Sequence, residues 1–495
     1  MPTAILERDD IQALVRSGFG KLDGSRLLLI RVRPGREAQA REWLGQAEVL
    51  SVEAFDSARR SGRRIERILQ IAITAPGLAA LGVPDEVVAG FPADFLAGIA
   101  GDEGRSKRLG DVGENSPSRW KWGRPGNEPH LLVMLYADCA DIEAFAAATL
   151  AGLGQSCEVL QPQLDCSEPG IEPFGFKDGI SQPRIDWDGV HTPGLTADQT
   201  YTNYISAGEV LLGYLDEYNL VGDRPLVPAM LPGAEGLPPS IDEADKRDFG
   251  RNGSFLVLRT LRQDVEGFWD WTKRAAGEEG SLDLAQAVIG RRKDGKPLDG
   301  LIRVEVPGLE DPEDNFTYDC DPEGHICPFG GHIRRANPRT GDIPGGGRGL
   351  LHYLLVTLGL WGTVRDDVIA TSRYHRLLRR GRPYGKPGSE QGLHFIALSS
   401  NLTRHFEFIQ NAWLANPSFA GLSNEADPLT GCREPYPDEN GVATDNFTRP
   451  RAEGPCTRYT GLPRFVTVEG GAYFFLPGLR ALKYIARAGP SLRGA

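Results

Sequence analysis

The stretch from Cys327 to Arg339, CPFGGHIRRANPR, sets one histidine directly after two glycines and ahead of three arginines. Glycine lets backbone come close to a flat ligand, imidazole is the commonest metal ligand, and guanidinium groups pair with carboxylates or phosphates. The combination points to a metal held by His332, and two metals compete for it. Iron would use His332 alone. Zinc would ask for four ligands, and Cys320, His325, Cys327 and His332 are of the right types. Their spacing, C-x4-H-x-C-x4-H, departs from the usual C-x2–4-C and H-x3–5-H pairs. It also leaves the other polar motifs of the chain unused.

Two of those motifs matter. Gly175 to Pro183, GFKDGISQP, brackets Asp178 between glycines, as a tight turn presenting one carboxylate would. A plain surface turn is the alternative, but Phe174 and Phe176 suit the wall of an apolar pocket better than a solvated loop. Arg373 to Gly385, RYHRLLRRGRPYG, interleaves five arginines with Leu377, Leu378, Pro383 and Tyr384. Basic runs usually form solvated faces. This one is apolar enough that at least one guanidinium should point inward, where it needs an anion.

The elements that must position these residues can be read from periodicity. Strands are expected at 26–34, 68–73, 130–136 and 157–160, with helices at 36–50 and 141–153. Strand, helix, strand, strand, helix, strand is the order of a ferredoxin-like unit. The pattern restarts near Glu209–Tyr214, with strands at 253–260, 392–399, 465–468 and 471–476, and helices at 266–276 and 479–488. Leu402, Phe406, Ile409 and Trp413 recur at helical spacing, so Trp413 reads as a core residue rather than a surface relay. Trp120 and Trp122 alternate around Lys121, which predicts both rings on one face of an extended segment. Loops are expected at 217–250, 277–300 and 424–462, and Leu350–Trp361 reads as a buried helix. The result is an α+β chain of two similar halves, 1–205 and 206–495, the second enlarged by insertions.

Composition narrows the partners. A length of 495 residues allows two or three domains, and 61 glycines with 36 prolines predict long ordered loops. The net charge of −12 argues against nucleic acid as a partner. No apolar run reaches the length of a membrane span, and the first ten residues lack a basic segment followed by an apolar one. Seven cysteines at irregular spacing do not form a disulfide framework. A cytoplasmic location is the expectation.

Taken together, GFKDGISQP at 175–183, CPFGGHIRRANPR at 327–339 and RRGRPYG at 379–385 resemble the dye-decolourising peroxidases. LLGYLDEY at 211–218, GLHFIAL at 392–398 and VEGGAYFFLPG at 468–478 extend the resemblance in the family's order. It implies two ferredoxin-like halves, of the dimeric α+β barrel type, packed around one haem b. His332 would be the proximal iron ligand, Asp178 the distal acid–base group and Arg379 the distal arginine. Gly179, Ile180, Ser181, Gln182, Leu393 and Phe395 would contact the haem. The interval from His332 to Arg379 is longer than in compact members, so Arg376, Arg380 and Arg382 stand as alternatives to Arg379. Asp427 would take the second ring nitrogen of His332, an Asp-Pro turn being the other reading. Arg334 would hold a haem propionate, a structural ion pair being its alternative. Hydrogen peroxide and dyes, phenolics or other aromatic reductants would be the substrates. The rival within the same resemblance is a haem-binding or haem-transfer protein with little turnover, which would need His332 but not Asp178 and Arg379.

Overall fold

The computed structural model describes residues 5–160, 164–167, 169–189, 203–301, 314, 316–339, 371–432 and 443–488. Its frame is a ten-stranded antiparallel sheet. The first half of the chain supplies β1 (Gly24–Val32), β2 (Arg67–Ile73), β3 (Leu131–Ala137), β4 (Cys157–Val159) and β5 (Leu164–Cys166). The second supplies β6 (Ser254–Gln263), β7 (Leu378–Arg379), β8 (Arg382–Tyr384), β9 (Gln391–Ser399) and β10 (Val466–Leu476). The strand order is β7-β9-β6-β10-β2-β3-β1-β4, with β8 also on β9 and β5 also on β1. In the first half β4 lies beside β1, β1 beside β3 and β3 beside β2; in the second, β10 lies beside β6, β6 beside β9, and β9 beside β7 and β8, which together take the second place. That is the ferredoxin-like order, and it occurs twice. The two sets meet where Phe475 of β10 faces Ile73 of β2, so they run on as one sheet.

Alternation along the strands divides the apolar residues between two cores. Leu28, Ile30, Ile71, Val133, Val257 and Phe475 face one side, while Leu27, Leu29, Leu132, Met134, Leu258 and Phe474 face the other. Helices α1 (Glu37–Gln46), α2 (Ile142–Leu153) and α5 (Leu479–Arg487) contribute Leu44, Ala146 and Leu482 to the first core. Helix α3 (Val265–Ile289) is capped by the Asp264 carboxylate on the Gly267 N–H at 2.9 Å. It passes a break at Gly277 and ends at Gly290, both with positive φ. A short helix α4 (His332–Ala336) follows, and 403–414 is a wide-wound helical segment.

The N-terminal segment ties the second half to the first. Gln12 donates to the carbonyls of Ile71 (2.8 Å) and Pro477 (2.9 Å), bridging β2 to the residue after β10. Arg380 donates to the Leu14 and Val15 carbonyls, and Arg382 to those of Gly18, Phe19 and Leu22.

Several expectations change. Residues 277–289 continue a helix because Leu284, Ala285 and Val288 bury one face against Phe174, Phe268 and their neighbours. Glu209–Tyr214 is turn rather than strand: Glu209 is fully buried and holds Arg404 and His405, so the backbone curls around it. The expected 465–468 and 471–476 strands are one, continuing through Gly470 with a register shift. Trp120 has a polyproline-like backbone (φ −65°, ψ 142°), whose threefold repeat does not return i and i+2 to one face. Accordingly Trp120 enters the first core and Trp122 the second. The expected helix at Leu350–Trp361 lies outside the described residues. Among the described residues no helix is long and apolar enough to cross a membrane. No disulfide joins any of the seven cysteines, all of which are described.

Candidate active site

His332 opens α4 directly after Gly330 and Gly331. A methyl group on Gly330 would meet the Glu425 carboxylate at 2.2 Å, so that side chain would have to move to admit one. The His332 Nδ1 lies 3.1 Å and 3.0 Å from the two oxygens of Asp427. Asp427 is fully buried and also accepts the N–H groups of Leu429 (3.0 Å) and Thr430 (2.8 Å). Burial alone would push its carboxyl up. The charges of His332 and Arg335 and these donors overcome that and hold it well below the usual carboxylate range. Arg335 is buried among the carbonyls of Trp413, Asn416 and Glu425. An ionised Asp427 is placed to accept the Nδ1 proton, an arrangement that would leave Nε2 available to bind a metal.

The same cavity carries an acid and a base on other walls. His332, Asp178 and Arg379 all line it, with Leu393 and Phe395 of β9. Asp178 stands on a loop folded back on itself through an Ile171–Lys177 bridge, with Gly175 at φ +92°. Phe174 packs on Phe268, ring centres 4.6 Å apart, and Phe176 lies parallel to Trp269. The Asp178 carboxylate is 3.6 Å from the Arg379 guanidinium, each side chain 34% exposed. Arg379 is fixed by the loop itself: its N–H donates to the Gln182 side chain (2.8 Å) and its Nη2 to the Ser181 carbonyl (3.1 Å).

No family model matches the chain. It is 26% identical over 448 residues to the multifunctional dye peroxidase DyP2 of Amycolatopsis sp., covering 84% of this chain and 81% of the relative. A dye-decolorizing peroxidase of Mycena epipterygia is 28% identical over 455 residues, covering 85% and 76%. Among solved structures, a DyP-type peroxidase of Anabaena sp. superimposes with a TM-score of 0.71 at 22% identity, over 97% and 94% of the two chains. A dye-decolorizing peroxidase in complex with 2,6-dimethoxyphenol gives 0.68 at 23%, over 97% and 100%. Over most of its length the chain is therefore similar to dye-decolorizing peroxidases in sequence, and it shares the fold of DyP-type peroxidases.

Not every residue named from the resemblance to the dye-decolourising peroxidases faces the cavity. Gly179, Ile180 and Ser181 line it, while Gln182 acts from behind by holding Arg379. Arg334 is a correction. Two positions beyond His332 on a helix, it points to the opposite side. There it pairs with Asp321 at 2.8 Å between the rings of Tyr318 and Phe329. Of the four arginines from 376 to 382, Arg376 and Arg379 line the cavity; Arg380 and Arg382 point to the N-terminal segment. The zinc reading also fails. His332 is engaged by Asp427, His325 by Glu323, and burial pushes the Cys327 thiol up to about 12. Among the described residues no group of histidines, cysteines and carboxylates could hold a metal ion together. Trp413 is buried and packs with Ile409 and Leu414.

Sequence reasoning missed several lining residues. Arg291 follows the glycine that ends α3 and reaches Ser181 Oγ (2.9 Å) and Asp314 (3.2 Å). The helix-stop glycine beside an arginine at 290–291 was its signal. Arg259 of β6 forms a buried ion pair with Asp111, and both line the cavity. Nothing in their spacing joins them, since 148 positions separate the two. His375 also lines the cavity, its Nδ1 on the Arg404 carbonyl at 2.6 Å, with burial lowering its pKa to about 4.

The lining suits a haem. Its apolar part includes Leu261, Ile289, Ile333, Leu393, Phe395 and Leu414, matching a flat hydrophobic macrocycle. Its polar part includes Arg291 and Arg376, guanidinium groups of the kind that pair with carboxylates.

Proposed function

We propose that this chain is a peroxidase that carries one haem b, reduces hydrogen peroxide, and oxidises dyes, phenolics and other aromatic reductants one electron at a time. The observation that carries the proposal is a single cavity lined both by a carboxylate-backed histidine and by a carboxylate–arginine pair. Bound on His332, the haem supplies an iron that takes two oxidising equivalents from peroxide and passes them on singly.

The protein's own groups do the rest. Asp427 holds the His332 imidazole in one tautomer and makes it a stronger electron donor. Asp178 accepts a proton from hydrogen peroxide at its carboxylate and returns it to the departing oxygen, a transfer worth ~10²–10⁴-fold in rate. Arg379 offers fixed positive charge where negative charge develops as the O–O bond breaks. Arg291 and Arg376, both on the cavity wall, are the candidates for the propionates. Leu393 and Phe395 add apolar surface to the cavity wall, as a site that takes up a haem would need.

The phenol carried by one structural relative supports the phenolic substrate class. We divide the chain at 205/206, so that the first half supplies Asp178 and the second His332 and Arg379. We place it in the cytoplasm on its seven cysteines, none joined to another.

A haem-transfer protein would need His332 and its partner but would gain nothing from Asp178 beside Arg379. Absorption spectroscopy and a dye assay separate the two readings. Haem-loaded protein should shift its Soret band on adding peroxide and bleach an anthraquinone dye only when peroxide is present. Haem binding without peroxide-dependent oxidation at any pH would overturn the peroxidase reading.

A further inference from the structure

The mechanism above gives no task to Glu172, a carboxylate of the cavity wall. Glu172 lies six residues before Asp178, at the start of the loop that carries it. Its side chain accepts three hydrogen bonds: from the Phe174 N–H at 2.9 Å, the Phe176 N–H at 2.9 Å and the Gln263 side-chain amide at 2.8 Å. Its backbone closes the same turn, accepting from Gly175 N–H at 2.7 Å and donating to the Phe176 carbonyl at 3.0 Å. One residue thus clasps the Phe174–Phe176 turn with both backbone and side chain, and through Gln263 fastens it to the end of β6.

Asp178 depends on that turn more than a catalytic carboxylate usually would. Among the described residues no group donates a hydrogen bond to its carboxylate, and Arg379 stands at 3.6 Å. Its direction is therefore set by the loop backbone, which is anchored by Asp178 N–H on the Gly170 carbonyl at 3.0 Å and by Lys177 N–H on the Lys293 carbonyl at 3.1 Å. Effective proton transfer needs the base within hydrogen-bond reach of the proton it takes, and small displacements of such a group are expensive in rate.

We propose that Glu172 is a positioning residue for the peroxide reaction, its carboxylate setting the backbone turn from which Asp178 is presented. The proposal rests on the peroxidase reading. It requires a carboxylate rather than an amide. Two backbone N–H groups point at separate oxygens of Glu172, and a glutamine would turn its NH2 toward one of them, setting donor against donor. Burial pushes the Glu172 carboxyl up, and the three donors oppose that.

The test is stopped-flow mixing of haem-loaded protein with hydrogen peroxide, following the Soret band, for wild type, Glu172→Gln, Asp178→Asn and the double variant. Glu172→Gln should bind haem with unchanged affinity and ferric spectrum yet react with peroxide at least tenfold more slowly. Reduction of the peroxide-oxidised protein by a dye should keep its wild-type rate. The double variant should be no slower than Asp178→Asn alone, because both changes remove one function. Wild-type peroxide reactivity in Glu172→Gln, with Asp178→Asn slow, would overturn the positioning role and leave the role of Asp178 standing. A double variant slower than Asp178→Asn would also overturn it, since Glu172 would then act by another route. Wild-type reactivity in Asp178→Asn would overturn both the assignment of Asp178 and the proposal. Should Glu172→Gln lose haem, Gln263→Leu, which cuts the tie to β6 and leaves the carboxylate, replaces it. A several-fold slower peroxide reaction is expected there, and an unchanged one would count against the clasp.

Discussion

Asp427→Asn tests the proximal arrangement with the least change of shape. The wild-type carboxylate is fully buried and takes the His332 proton, the N–H groups of Leu429 and Thr430, and the Thr430 hydroxyl at 3.2 Å. The asparagine oxygen can keep the backbone donors, but its NH2 then faces His332, and the buried Arg335 loses a nearby negative charge. A lost hydrogen bond to a charged group costs about 1.5–3 kcal/mol, and the exposed mismatch adds to it, so about 2–4 kcal/mol of stability should go. At an unfolding entropy of about 2.1 cal/mol/K per residue, a chain of 495 residues loses about 1 °C of melting temperature per kcal/mol, so about 2–4 °C in all. Haem affinity should fall by about 10–100-fold, the usual effect of removing the partner of a metal-bound histidine. Calorimetry of the haem-free protein reads the first effect and haem titration at fixed pH the second. The sign with pH is also set. The folded carboxyl lies below its unfolded value, so its contribution is present above about pH 4 and fades as pH falls through the folded value. The gap between wild type and variant should therefore be full at pH 7 and shrink in acid. Equal haem affinity in the two proteins would refute the reasoning that Asp427 tunes His332.

Arg379→Ala should keep haem and lose peroxide reactivity by about 10²–10³-fold, the scale of removing one donor to a developing negative charge, measured by stopped flow. Arg334→Ala should leave haem affinity intact but lower stability by about 3–5 kcal/mol, because it strands buried Asp321; denaturant unfolding of the haem-free protein reads this. Burial raises the Asp111 carboxyl to about 6, with Arg259 opposing. A raised carboxyl lends stability that is full below its unfolded value and lost as pH rises through the folded one. Wild type should thus lose about 2 kcal/mol between pH 4 and 7 from this group. Asp111→Asn should lack that slope, as seen by comparing unfolding midpoints at the two values.

The strand–helix order was legible because alternation and helical period survive even where boundaries do not. Both ferredoxin-like units could be read from runs such as HLLVMLY and GLHFIALS. Their meeting in one sheet rests on a single Phe475–Ile73 pairing, which no periodicity announces. The residues proposed to carry the chemistry were visible where glycines framed them, as at His332 and Asp178. Arg259 and Asp111 were not, because an ion pair across 148 positions has no local signature. Arg334 shows the opposite failure: the motif placed it beside His332 in sequence, and the turn of the helix carried it to the far side.

The grip of Arg380 and Arg382 on the N-terminal segment has a kinetic meaning. These bonds join residues as far as 366 positions apart. Such long closures are entropically late events and slow folding. The corner that carries Arg379 therefore takes its final shape only after the N-terminal segment has returned across the sheet. Haem could dock on His332 earlier in folding than peroxide could be used. In a refolding experiment, the proximal spectrum should recover before peroxide reactivity does.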